Sequence, residues 1–189
     1  MSNTLRKAAG SLILVGAAQF IVGMFVAEAL YKGYSVADNY ISDLGVGPSA
    51  LIFNSSVFLF GLTVVVASYY LWRIFEEKLV VILFFLAGIG VMGVGVFPES
   101  VELIHPIVSL ISFLFGGLSA IAAYELEKFP LNYISVILGL IALIAFVLFA
   151  TDNFLGLGKG GMERMIAYPI VLWTIGFGGY LIGSEHKKT

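Results

Sequence analysis

The side chains able to do chemistry gather in three connections between long apolar stretches. Residues 32–48 carry Asp38, Asn39, Ser42 and Asp43; residues 96–106 carry Glu99, Glu102 and His105; residues 151–164 carry Asp152, Asn153, Lys159, Glu163 and Arg164. A histidine beside a carboxylate can serve as a general base, and the catalytic candidates are His105 with Asp43 or Glu99. The same three residues are the candidates for holding a divalent cation. A zinc site of three histidines is excluded, because His105 is the only histidine in these connections and His186 falls on the opposite side.

The third connection offers different chemistry. Gly156-Leu157-Gly158-Lys159-Gly160-Gly161 precedes an apolar stretch, so it reads as a mobile loop leading into a helix N-terminus. Free N–H groups there, with Lys159 and Arg164 beside them, suit an anion such as a phosphate head group. Plainer roles compete. His105 also suits a structural hydrogen bond at a helix mouth. Arg164 suits an ion pair with Asp43, Glu99 or Asp152 that clamps the connections together, since a buried arginine needs a carboxylate.

Local spacing shapes how these groups are presented. Ser35-Val36-Ala37-Asp38 has the spacing of a capping box, and a short interfacial helix is expected over 36–44. It would pair Asp38 with Ser42 and Asn39 with Asp43 at i, i+4. Gly45 would stop it, and Pro48 suits the first position of the next helix. Asn54, inside that helix, is a lone amide in need of a partner. Glu99, Glu102 and His105 share a face if a helix starts at Pro98. The candidate ligand-binding set is therefore Asp38, Asn39, Ser42, Asp43, Asn54, Glu99, Glu102, His105, Asp152, Glu163 and Arg164.

Six apolar stretches must position these groups: 8–31, 49–72, 79–97, 103–124, 132–150 and 165–183. Hydrophobic residues make up 60% of the chain and charged residues 12%, against roughly 45–50% and 25% in soluble domains. Each stretch approaches the roughly 20 residues that cross a bilayer. Period-two alternation is absent, which excludes a membrane barrel. The expected fold is all-α: a polytopic bundle of six transmembrane helices in a single domain spanning 1–189. The first stretch is too long for a signal-peptide core and is read as a retained helix. The absence of cysteine excludes disulfides, thiol catalysis and cysteine-bound metal or haem. A net charge of −2 gives nucleic acid no electrostatic footing.

Six crossings put both termini on one face, with Arg6, Lys7, Arg73, Lys78, Lys128, Lys187 and Lys188. The other face has Lys32, Lys159 and Arg164. This bias favours cytoplasmic termini in the plasma membrane, with the polar connections outside. The other two connections, Arg73–Lys78 and 125–128, read as solvated turns of balanced charge. Tyr31, Tyr34, Tyr69, Tyr70, Trp72 and Tyr124 read as an interfacial belt. Gly88-Ile89-Gly90-Val91-Met92-Gly93 matches a dinucleotide pattern but lies in mid-membrane without a preceding strand, so it is packing glycine. Gly158-Lys159 lacks the Ser or Thr of a phosphate loop. Gly16, Gln19 and Gly23 share a face, and Gly179 and Gly183 form a small-residue pair, both read as helix-contact surfaces.

An ordered set of motifs remains. Tyr40-Ile41-Ser42-Asp43-Leu44-Gly45 is followed by Phe53-Asn54. Gly95-Val96-Phe97-Pro98-Glu99 is followed by His105, and Gly161-Met162-Glu163-Arg164 by Trp173. Over nearly the whole chain this set resembles a prokaryotic six-helix membrane family described as domain of unknown function 998. The first element is also faintly similar to the Frag/DRAM/Sfk membrane proteins, which are linked to lipid handling and autophagy. The resemblance implies a six-helix membrane fold and puts Ser42, Asp43, Gly45, Asn54, Pro98, His105, Glu163 and Arg164 at the family's motif positions. It implies no activity.

Three classes of function follow. The favoured one is an integral membrane protein whose outward acidic/His/Arg site engages lipid head groups, as a sensor, scaffold or remodelling factor, without a cofactor. The second is an intramembrane lipid hydrolase or transferase using a His–carboxylate pair or a metal; the balance leans away from an enzyme. The third is an ion or proton-coupled transporter, against which the midplane argues, since Gln19 and scattered Ser and Thr are its polar groups. Membrane lipid is the expected partner, nucleic acid is not, and a homo-oligomer is compatible with the sequence.

Overall fold

The computed structural model describes residues 2–184; His186, Lys187 and Lys188, counted above on the terminal face, lie outside them. Six helices are present: α1 (Ser2–Leu30), α2 (Ala50–Trp72), α3 (Lys78–Val96), α4 (His105–Ala122), α5 (Leu131–Ala150) and α6 (Gly158–Gly183). All six are long and apolar enough to cross a membrane, and no strand occurs among the described residues. Hydrocarbon offers no hydrogen-bond partner to the backbone, so each crossing satisfies its own amides as a helix. Short connections make chain neighbours antiparallel partners. Each helix packs on the next and α6 returns to α1, closing a ring. The ends of the described chain, Ser2 and Ser184, lie on one face of this ring, the terminal face, and the candidate residues lie on the other, the site face.

Small residues let the helices approach. Gly90 on α3 faces the Ser112 backbone of α4, where a Cβ would collide, and Gly93 meets Val108. Gly16 and Gly23 seat Thr63 and Ser56 of α2, and Gln19 donates to the Ser56 carbonyl at 2.8 Å. On α6 the contact glycine is Gly178, opposite Gly10 of α1; Gly179 and Gly183 face open space and are not a packing pair. Below the site face, Trp173 is buried on α6, stacked on Phe177 and edge-on to Phe84.

The terminal face is less solvated than its charge balance suggests. Glu127 is buried at 6% exposure and accepts from Ser135 on α5. Desolvation by burial pushes its carboxyl up to about 7, against the opposing pull of Ser135 and Trp173. Its turn is therefore a packed structure, not a solvated one. Arg6 is likewise buried, its guanidinium 5.3 Å from the Phe75 ring centre and 5.6 Å from that of Tyr180.

On the site face three local expectations change. The interfacial helix is shorter than 36–44. Ser35 and Asp38 do form the reciprocal capping contact, Oγ to carboxylate at 2.7 Å and amide to Oγ at 3.2 Å, but it closes a single turn. Helical structure resumes as a 3-10 segment at Ser42–Gly45. The interruption lets the Asp43 carboxylate turn back to accept from the Tyr40 amide at 2.9 Å. In the second connection α4 starts at His105, so Glu99 and Glu102 stand on the turn before it and share no helix face with it. In the third, α6 already begins at Gly158, and Gly158 to Gly161 form its first turn, not a mobile loop.

Candidate functional site

The site is built where the 3-10 segment, the turn before α4 and the first turns of α6 meet. Ser42 Oγ donates to Glu99 Oε2 at 3.2 Å, joining the first connection to the second. Glu163 on α6 accepts from the Ile41 amide, joining the first to the third. Asp43 lies beside Glu99 and accepts from Asn39 Nδ2 at 2.8 Å and the Tyr40 amide. Burial would raise the Asp43 carboxyl, but hydrogen bonds from Glu99, Asn39 and the Tyr40 amide, with Lys159 nearby, hold it below its ordinary value. Glu99 moves the other way: burial first, then Asp43, push it up to about 7 despite Ser42 and Lys159. The two carboxyls therefore divide one proton, with Asp43 ionised and Glu99 carrying it near neutral pH.

His105 opens α4 and is 8% exposed. Its Nδ1 lies 2.8 Å from the Phe97 carbonyl oxygen, which can only accept, so in the neutral ring the proton sits on Nδ1. Nε2 is left as an acceptor.

These groups surround a cavity of about 350 Å³ that opens between α4 and α5. Ser42, Glu99, Glu102, His105 and Glu163 form its polar side, and Leu110, Phe113, Phe146 and Phe149 its apolar wall. Tyr40 lies at the junction, edge-on to Phe149 with ring centres 5.7 Å apart and with Lys159 Nζ 4.2 Å over its own ring. A second chamber of about 80 Å³ lies inside the helix ring, lined by Phe20, Phe53, Phe60 and Val171 among others. Ser42, Ser109, Phe113 and Glu163 line both spaces, so the two adjoin.

The remaining candidates lie elsewhere. Arg164 does not line the cavity. Its ion pair is with Glu28 of α1, Nη2 to Oε1 at 2.7 Å, rather than with Asp43, Glu99 or Asp152. Its other hydrogen bonds go to the Tyr34 hydroxyl at 2.6 Å, the Tyr168 hydroxyl at 3.1 Å, and the carbonyls of Val36 and Gly160, each at 3.1 Å. Arg164 is thus a clamp, but of α6 on the end of α1 and the segment after it. Tyr34, read as a belt residue, is part of that clamp, and burial pushes its hydroxyl up to about 12 even with Arg164 alongside. Asn54 donates to the Gly45 carbonyl at 2.9 Å and lies toward α3, on the outside of the ring. Asp38 is exposed on its capping turn, and Asp152 is exposed in the α5–α6 connection. Among the described residues, no three His, Asp or Glu groups stand close enough to hold a metal ion.

The anion-binding elements are also already engaged. The Gly160 amide at the start of α6 donates to the Ala37 carbonyl at 2.9 Å. A Cβ on Gly160 would overlap the Asn39 carbonyl and stand 2.6 Å from that of Val36. The glycines therefore serve close approach of the 36–39 backbone, not of a phosphate. Two important residues escaped the sequence reading. Glu28 was hidden inside an apolar stretch, where its depth alone was a signal. Glu127 was masked by neighbours of opposite charge.

Six apolar helices in a closed ring, with a polar cluster sunk at one end, define a multi-pass integral membrane protein. The family described as Protein of unknown function (DUF998) matches residues 14–180, and the chain belongs to that family. No curated protein and no solved structure matches it.

Proposed function

We propose that this protein binds a membrane amphiphile in the lateral cavity between α4 and α5. The observation carrying this reading is the cavity's composition. One side is acidic and histidine-bearing, the other is aromatic and aliphatic, and it adjoins an apolar chamber inside the bundle. Ligand pockets combine a mostly apolar lining with a few convergent polar groups. A head group would rest against Glu99, His105 and Glu163 while an acyl chain follows Phe113 and Phe146. The distribution of basic residues favours cytoplasmic termini, which would open the site to the outer leaflet of the plasma membrane. A sensor, scaffold or lipid-remodelling role is consistent with such a site.

The test is to fill the cavity. Native mass spectrometry of the protein extracted in mild detergent is expected to retain lipid. Ser109→Trp, placed where both spaces meet, is expected to lose it while the fold survives. Lipid-free protein from the unaltered chain would refute the proposal.

One observation favours chemistry over binding alone. Ser42 is hydrogen-bonded to Glu99, whose carboxyl is pushed to about 7, near the range of a working acid or base. Release of fatty acid or head group from added lipid, abolished by Ser42→Ala, would move the assignment to a hydrolase or transferase.

A further inference from the structure

The free polar positions along the cavity wall are of one kind. His105 is more than nine-tenths buried and lines the cavity, and its Nε2 has no protein partner. Glu163 is 6% exposed and spends Oε2 on the Ile41 amide, leaving Oε1 to the space it lines. Glu102 stands exposed at the rim. The hydroxyl proton of Ser42 is directed onto Glu99, and Glu99 shares its own with Asp43. Around the cavity, then, the uncommitted groups accept hydrogen bonds, and the charge excess is negative. Of the cations on this face, Arg164 is spent on Glu28 and Tyr34 and Lys159 lies against the Tyr40 ring, while Lys32 is exposed and does not line the cavity.

Two ligand classes fail these conditions. A phosphate or sulfate brings acceptors and negative charge to a wall of acceptors, and the α6 N-terminus that would have favoured it is capped by Ala37. A bare divalent cation needs several oxygens converging on one point, and no group of three ligands converges among the described residues. Acceptors spread along a wall suit a head with several hydrogens pointing in different directions. A primary ammonium supplies three donors and the opposite charge.

We infer that the head group bound here is a primary ammonium, carried on an amphiphile whose chains lie against α4 and α5. This rests on the amphiphile reading above and narrows it. The head is seated by His105 Nε2 and Glu163, with Glu102 at the rim. Any phosphate linking the amine to its chains is left outside the acceptor wall, at the mouth.

The experiment is a thermal-shift titration of the full-length protein in one detergent. It uses four lipids with identical acyl chains: phosphatidylethanolamine, phosphatidylcholine, phosphatidylglycerol and a neutral glucosyl diacylglycerol. Phosphatidylethanolamine is expected to protect at the lowest concentration. Phosphatidylcholine, whose quaternary ammonium has no N–H to donate, should need more, and phosphatidylglycerol more still. Glu163→Gln, which keeps an oxygen for the Ile41 amide, should weaken the ethanolamine lipid by at least about tenfold, as loss of one partner of a desolvated charge pair does. Glu102→Lys lies on the exposed rim and so spares the fold; it should narrow the gap between the ethanolamine and glycerol lipids. Equal or better protection by phosphatidylcholine, phosphatidylglycerol or the glucosyl lipid overturns the primary-ammonium assignment and leaves the amphiphile site standing. Protection by none of the four overturns both.

Discussion

Arg164 is the single side chain whose loss should cost this fold most, and the reason is the charge it would leave behind. Its guanidinium is 6% exposed and its partner Glu28 is 21% exposed, with one short ion pair between them. Arg164→Ala removes that pair and four further hydrogen bonds that fasten α6 to Tyr34, Val36 and its own first turns. Side-chain hydrogen bonds between membrane helices average about 0.6 kcal/mol each, and only those to Tyr34 and Val36 leave α6, so this part is modest. Stranding one member of a buried pair typically costs about 3–5 kcal/mol. The second effect dominates. At about 2–4 °C per kcal/mol for a chain of this size, Arg164→Ala should lower the melting temperature by about 6–20 °C. Lys7→Ala, exposed on the terminal face, should shift it hardly at all.

A double substitution separates stranded charge from lost contacts. If the charge left on Glu28 is the main cost, Arg164→Met with Glu28→Met should be more stable than Arg164→Met alone. Replacing a whole buried pair with apolar groups is often neutral or better, whereas breaking it is not. If contacts are the main cost, the second substitution adds to the first. Melting followed by tryptophan emission, in one detergent at one scan rate, reads all variants together. A double variant no more stable than the single one would refute the reasoning.

Glu127 should make stability depend on pH. Its folded value of about 7 exceeds the ordinary 4.5, so the folded state binds the proton more tightly. The stabilisation is complete below about 4.5 and is lost as pH rises through 7. Glu127→Gln, which mimics the protonated acid, should match the unaltered protein at pH 5 and melt higher at pH 8; an unchanged difference would sink the idea. Gly160→Ala should destabilise by about 1–3 kcal/mol, because its Cβ meets backbone that cannot swing aside. Gly179→Ala, with open space around it, should be neutral or gain up to about 1 kcal/mol of helix propensity. Cysteines at Lys32 and Leu157 should react with an impermeant maleimide in intact cells, and cysteines at Glu77 and Glu125 should not. The chain has no native cysteine to confuse the labelling, and the reverse pattern would place the site inside.

The six crossings were legible because the hydrocarbon thickness fixes a length and the composition fills it. Their ends were legible only where chain chemistry decides them. Pro106 stands at the second position of α4 and marks its start closely. Gly158 to Gly161 misled, since glycines in series signal a loop. Here Gly158 and Gly160 are glycine because the 36–39 backbone lies too close for a side chain at either position. That constraint belongs to a segment more than a hundred residues away, and no local rule contains it. The length of the interfacial helix failed for a similar reason: the Asp43 carboxylate and Glu163 capture the amides of Tyr40 and Ile41, at the expense of continued helix.

The site shows the same division between kinds of residue and their pairing. Ser42, Glu99, Glu102, His105 and Glu163 do line one cavity, and their types and loop positions had marked them. Which acid pairs with Arg164 was decided by the closure of the ring. That closure brings α6 against α1 and makes Glu28 nearer than any carboxylate in the connections. The exchange has a chemical consequence. With Arg164 committed to Glu28, the adjacent Glu163 is left without a cationic partner at the boundary of the two cavities, and the polar wall becomes one of acceptors. On the ammonium proposal, a single ion pair on the outside of the site would thus set the sign of what the inside can bind.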